Sequence, residues 1–183
     1  MKVCIVAEGC YPYVVGGVSG WINSMIKSFP NIEFILLTIV ANRSVRGKFV
    51  YELPENLTQV YELYLEDCEW EEGERERKVR KRFHLSKKER TELTNLVMNR
   101  KIEWGVIFDL FQRKGVSVDD LLMGPDFFQI VRECYKRQYA NIVFSDFLWT
   151  MRSIYLPLFW TLKMKVPQAD LYHCVATGYA GVL

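Results

Sequence analysis

The chain has 183 residues, half of them hydrophobic and a quarter charged, with a formal net charge of +2. That length suggests one domain, and so small a charge gives no argument for nucleic acid as a partner. Five cysteines without C-x-x-C spacing (Cys4, Cys10, Cys68, Cys134, Cys174) and two histidines (His84, His173) support neither a disulfide framework nor a zinc site, so no metal is expected.

Cys4 and Cys174 sit in apolar runs and read as buried free thiols in a reducing cytosol. The N-terminus carries one lysine and five apolar residues before Glu8, too short for the core of a signal peptide. A cytoplasmic protein is the expectation.

The first element is a β-branched strand, Lys2 to Ala7. The loop Glu8–Gly20 follows and carries the pair Gly16-Gly17. Apolar residues at Val18, Trp21, Ile22, Met25, Ile26 and Phe29 then mark one face of a helix, which Phe29-Pro30-Asn31 should end. Strand, glycine-bearing loop and helix together can serve an anion, because the helix start offers backbone N–H groups and a partial positive charge. The same spacing also suits a tight turn with no ligand. There is no G-x-G-x-x-G and no G-x-x-x-x-G-K-[ST], and the second strand ends without a carboxylate, which disfavours NAD.

The run Glu33–Val40 is continuously apolar, as expected of a strand buried on both faces of a parallel sheet. It completes a right-handed βαβ unit. Alternation over Lys48–Leu53 and over Thr58–Leu65, separated by Pro54-Glu55-Asn56, predicts a short edge strand and then a third sheet strand.

From Glu66 to Arg82 acidic residues (Glu69, Glu71, Glu72, Glu74) precede basic ones (Arg75, Arg77, Lys78, Arg80, Lys81, Arg82). This is either a patch for an anionic substrate or membrane surface, or a solvated excursion with internal charge pairing, the preferred reading. Three helices are expected next. One starts at the capping box Ser86-Lys87-Lys88-Glu89 and runs to about Asn99, with Leu93, Leu96 and Val97 inward. A second covers Glu103 to Lys114, with Trp104, Ile107, Phe108 and Phe111. A third follows Gly124-Pro125-Asp126, with Phe127, Ile130, Val131 and Cys134. They form a helical insertion over about 66–168.

Ser145 or Asp146 is the expected cap of a long helix carrying Leu148, Met151, Ile154, Tyr155, Leu158, Phe159 and Leu162. Asp146, Arg152 and Lys163 interrupt its apolar run, so a buried or partner-facing helix is expected rather than a membrane span, kinked at Pro157. The last strand is Ala169–Val175. After Thr177-Gly178-Tyr179-Ala180-Gly181 the sequence stops at Leu183, where a second strand–loop–helix unit should begin its helix. The domain is therefore expected to be truncated before completion, with the fourth strand an apolar edge that invites self-association. His173 reads either as a structural strand-end residue or as part of a site.

These elements predict an α/β domain with a Rossmann-like parallel sheet, and in a doubly wound order 3-2-1-4 the first and fourth strands would be neighbours. Ligands bind such sheets at the carboxyl ends of the strands where the winding reverses. The loops Glu8–Gly20 and His173–Gly178 should then face each other across one cleft. The candidate residues are Glu8, Gly16, Gly17, Val18, Ser19, His173, Thr177 and Gly178.

The motifs Ala7-Glu8-Gly9-x-Tyr11-Pro12-Tyr13-Val14-x-Gly16-Gly17-Val18-Ser19-x-Trp21 and Tyr172-His173-x-Val175-x-Thr177-Gly178-Tyr179-Ala180-Gly181 resemble the N-terminal domain of PelF-like retaining glycosyltransferases. The resemblance spans essentially the whole chain. It implies a Rossmann-like half of a GT-B fold and transfer of glucose from UDP-glucose to a growing exopolysaccharide at the cytoplasmic side of the membrane, within a membrane-associated synthesis complex. It implies that Gly16-Gly17 lie against the donor phosphates and the acceptor, and that Glu8 meets an acceptor hydroxyl or serves as a structural carboxylate. His173 matches the first member of a His-x-His pattern whose second position is Val175 here. The family's C-terminal domain, which supplies the nucleotide pocket, is not in this sequence. The expectation is an acceptor-side domain that does not turn over substrate alone and binds UDP weakly or not at all. The rival expectation is a non-enzymatic α/β module that docks a protein or membrane through the aromatic helix Phe147–Leu162. Flavodoxin-like nucleotide binding rests on the glycine pair alone.

Overall fold

A computed structural model describes residues 1–68 and 84–183. The charge run read over 69–82 lies outside the described residues. Among the described residues, 1–68 with 164–183 form one compact unit, and 84–163 form another.

The first unit holds strands β1 (Lys2–Glu8), β2 (Glu33–Val40), β3 (Leu57–Tyr64) and β4 (Leu171–Cys174), with helix α1 (Gly17–Ser28) between β1 and β2. The sheet is wholly parallel, in the order β3-β2-β1-β4. This is the doubly wound order in which the first and fourth strands are neighbours, and the unit is a Rossmann-like α/β half-domain. Successive side chains point to opposite faces, so the central strands feed two apolar layers. Val3, Ile5 and Ala7 pack with Tyr11, Ile22, Ile26, Phe34 and Leu36. Cys4 and Val6 pack with Ile35, Leu37, Ile39 and Ala180.

Helix α1 ends before Phe29-Pro30, as expected, and the Asn56 side-chain amide donates to the carbonyls of Ile26 and Phe29 at 2.9 and 3.0 Å. Its buried face is narrower than the sequence pattern: Ser19, Ile22 and Ile26 are buried, while Val18, Trp21 and Phe29 are about half exposed. The apolar stripe is wider than the strip of sheet it covers, so one flank faces solvent.

Three expectations need correction here. Residues 48–53 form no strand. Val50 N–H donates to the Pro12 carbonyl at 3.0 Å, Phe49 meets Tyr13 edge-on at 5.5 Å, and Tyr51 packs on Tyr11 at 5.3 Å. The alternating aromatics serve the loop after β1 rather than a sheet edge. Cys174 is exposed at the end of the edge strand β4, whereas Cys4, on the central strand β1, is fully buried. The strand itself is shorter than Ala169–Val175, and only one 3₁₀ turn, Tyr179–Val182, follows it.

The second unit contains α2 (Lys87–Val97), α3 (Trp104–Phe108), α4 (Val118–Leu122), α5 (Pro125–Cys134) and α6 (Phe144–Lys163). The capping box forms: Ser86 Oγ accepts from Glu89 N–H at 3.3 Å, and Glu89 Oε2 accepts from Ser86 N–H at 2.7 Å. The helix expected over Glu103–Lys114 is α3 continued by a wider π-helical segment, Asp109–Arg113. Helix α4 was not anticipated, although Ser117 caps it by accepting from Asp120 N–H. Helix α6 opens at Phe144, so neither Ser145 nor Asp146 is its cap. Asp146 lies in the first turn, where its charge suits the positive helix end. The buried side of α6 runs through Phe147, Tyr155, Leu156, Phe159 and Leu162, whereas Ile154 is exposed. Phe159 sits against Phe111 at 4.9 Å and Phe127 at 5.9 Å, making the aromatic centre of this unit. Pro157 lies inside a helix that continues through it. Among the described residues no helix is long and apolar enough to cross a membrane.

Candidate functional site

Parallel pairing of β1 with β4 sets Val6 opposite Cys174, so the two strands finish side by side. Two segments leave from that rim. After β1 the chain turns through Gly9, at φ +62, where a side chain would be strained. Cys10 C=O then accepts from Tyr13 and Val14 N–H at 2.9 and 3.0 Å. Tyr11 is buried beneath this loop, and burial with Tyr51 nearby pushes its phenol up to about 12. Its carbonyl accepts from Thr38 Oγ1 at 3.4 Å. With its base so anchored, the loop presents Val14 through Val18 to solvent. Gly16 stands at the N-cap of α1 in extended backbone, no side chain caps the helix, and its first turn holds no acidic residue.

After β4 the chain folds back over Glu8. Glu8 Oε2 accepts from Ala180 N–H at 3.1 Å. A Cβ at Gly178 would lie 2.5 Å from that oxygen, so only glycine lets the turn approach so closely. One carboxylate oxygen of Glu8 is thus engaged within the fold.

Two adjoining cavities open at this rim. One, of about 510 Å³, is lined by Glu8, Cys174, Val175, Ala176, Thr177 and Gly178. The other, of about 400 Å³, is lined by Gly17, Val18, Trp21, His173, Cys174 and Val175. Both are in the size range of small-molecule sites. Cys174 and Val175 form the wall they share. The indole of Trp21 and the imidazole of His173 lie 5.6 Å apart, tilted by 35°. Thus Gly17, Val18 and His173 meet around one cavity, and Glu8, Thr177 and Gly178 around its neighbour. Gly16 lines neither; its N–H is 3.5 Å from the Tyr51 hydroxyl. Ser19 lines neither because it is buried on the sheet-facing side of α1.

The chemistry of the pair is divided. The Trp21 cavity offers an aromatic face, an imidazole and the start of a helix. The Glu8 cavity offers a carboxylate and a hydroxyl. Among the described residues no lysine or arginine lines either, and the electropositive groups there are backbone amides. Among the described residues no three His, Cys, Asp or Glu side chains gather as a metal site would need. Burial, with Cys174 close by, raises the Cys4 thiol to about 11. The apolar spacing puts Trp21 on the inward face of α1 and Cys174 inside; in the structure both are exposed and line the cavities. The signal for Trp21 was the width of the apolar stripe on α1, broader than one sheet face can cover.

A family model described as "Domain of unknown function (DUF3492)" matches residues 1–183. No curated protein and no solved structure matches the chain.

Proposed function

The chain belongs to the DUF3492 family, and on that premise we propose that it is the acceptor-side domain of a PelF-like retaining glycosyltransferase. The reaction is transfer of glucose from UDP-glucose to a growing exopolysaccharide. The observation that carries this reading is the meeting of the α1 N-terminus and the end of β4 around one cavity. That position is the switch point of a doubly wound sheet, where such folds bind ligands.

Three features support sugar chemistry there. The half-exposed Trp21 ring offers a negative π face to the C–H face of a pyranose. His173 beside it can hydrogen-bond a sugar hydroxyl. The first-turn amides of α1, unopposed by an acidic side chain, suit the charge that develops on a departing diphosphate. The resemblance assigns the grip on the nucleotide to the other half of such enzymes, so this half is expected to favour acceptor over donor.

The test is a titration of the isotopically labelled chain with gluco-oligosaccharides and, separately, with UDP-glucose. Oligosaccharide at millimolar concentration should shift the Trp21 indole and His173 ring resonances, while UDP-glucose alone produces little heat or shift. Micromolar UDP-glucose binding would reverse the donor–acceptor assignment. Silence of Trp21 and His173 towards both ligands would overturn the proposal.

A further inference from the structure

The corner between α5 and α6 carries an exposed aliphatic tip flanked by cations. Val143 is 63% exposed, Ile142 43% and Trp149 60%. Lys136, Arg137 and Tyr139 are exposed on the approach to the tip. Of the exposed charged side chains from Arg132 to Asp146, three are cations (Arg132, Lys136, Arg137) and two are anions (Glu133, Asp146).

The corner is built so that this tip cannot fold inward. Tyr135 Oη donates to the Ile142 carbonyl at 2.7 Å, and Ile142 N–H donates to the Tyr139 carbonyl at 3.2 Å. The Tyr135 ring meets Phe144 at 5.0 Å, and Tyr139 stacks on Phe147 at 4.8 Å. These aromatic rings are thus engaged with one another. Two branched aliphatic side chains stay in water at the apex of a braced turn.

We infer that this corner docks on a lipid bilayer rich in anionic headgroups. Ile142 and Val143 enter the headgroup–acyl boundary, Trp149 and Tyr139 lie at headgroup depth, and Lys136 and Arg137 meet the phosphates. The combination of apolar tip, interfacial aromatics and net positive charge is what such a surface selects. A protein groove would be served by the apolar tip alone; the charge excess points to the anionic membrane. Asp146 and Glu133 oppose the attraction, so binding is expected to be weak, reversible and salt-sensitive. The inference is independent of the sugar-site reading, because it concerns the helical unit only.

The experiment is co-sedimentation of the chain with vesicles of phosphatidylcholine alone and of phosphatidylcholine containing 30% phosphatidylglycerol. Partition should be at least about tenfold greater onto the anionic vesicles at low salt and should fall as salt rises. Lys136→Glu with Arg137→Glu should lower it by about tenfold or more. Ile142→Asp with Val143→Asp should abolish it, with the circular dichroism spectrum unchanged because all four positions are exposed. Equal partition onto both vesicle types, or anionic binding untouched by either double variant, would overturn the inference. So would loss of a dimer in the aspartate variant without any change in vesicle binding, which would make the corner a contact between copies of the chain.

Discussion

The contact between Glu8 and Gly178 shows how much of the site depends on single atoms. Glu8→Ala removes the acceptor for Ala180 N–H and should cost about 1 kcal/mol. Gly178→Ala forces a methyl group against the same carboxylate and should cost a similar amount, about 1 kcal/mol. Because both act on one contact, the double variant should be less destabilised than the sum, by about 0.5 kcal/mol or more in urea unfolding; strict additivity would show that the contact is not shared. In the helical unit Glu89 is nearly buried between Ser86 and the Lys114 ammonium. Burial pushes its carboxyl up, but the Lys114 and Ser86 hydrogen bonds outweigh it and hold the group below its usual range. A carboxylate lowered in the folded state adds stability that is complete above its unfolded pKa and is lost as pH falls through the folded value. Thermal melts should therefore show acid destabilisation that is smaller in Glu89→Gln, and a wild-type acid profile in that variant would contradict it.

The elements differ in how much of themselves the sequence disclosed. Strands β1 and β2 were legible because burial on both faces writes a continuous apolar run, and α2 because Ser86 and Glu89 spell out a capping box. Helix α1 was legible in extent but not in orientation, since hydrophobic spacing cannot tell the flank that meets the sheet from the flank that lines a cavity. The aromatic alternation over 48–53 misled for a related reason: period two was produced by Phe49 and Tyr51 reaching for Tyr13 and Tyr11, not by a pleat. Phe159 is the residue on which α6 depends, and Phe159→Ala should cost about 3–5 kcal/mol through the void left against Phe111 and Phe127. A loss under about 1 kcal/mol in denaturant titration would remove it from the centre. Strand β4 is four residues long, with Leu171 and Tyr172 about half exposed at the rim of the sheet. Sedimentation should show mass rising with concentration, reduced by Tyr172→Lys; a clean monomer at high concentration would count against pairing through this edge.

At the scale of the molecule, the strand order places the two glycine-bearing loops together, and their sequence motifs alone could not do so. An amphipathic helix between buried strands implied only a right-handed crossover, and the order itself entered as the usual doubly wound arrangement. What was not legible was the division of labour at the rim: that Glu8 is held by Ala180, that Ser19 turns inward, and that Trp21 and Cys174 become walls. Ser19 and Trp21 depend on how α1 sits on the sheet, and Glu8 and Cys174 on the turn after β4, which no periodicity encodes. Sugar bound at this rim would meet Cys174, whose side chain is exposed on the wall common to both cavities. Buried Cys4, with its thiol raised to about 11, should stay nearly inert and serve as the internal reference. The decisive measurement is the rate of Cys174 alkylation by iodoacetamide, followed by peptide mass spectrometry, with and without gluco-oligosaccharide at tens of millimolar. Sugar should slow Cys174 several-fold in the wild type and have no effect in Trp21→Ala. An unchanged rate in the wild type at saturating sugar would contradict it.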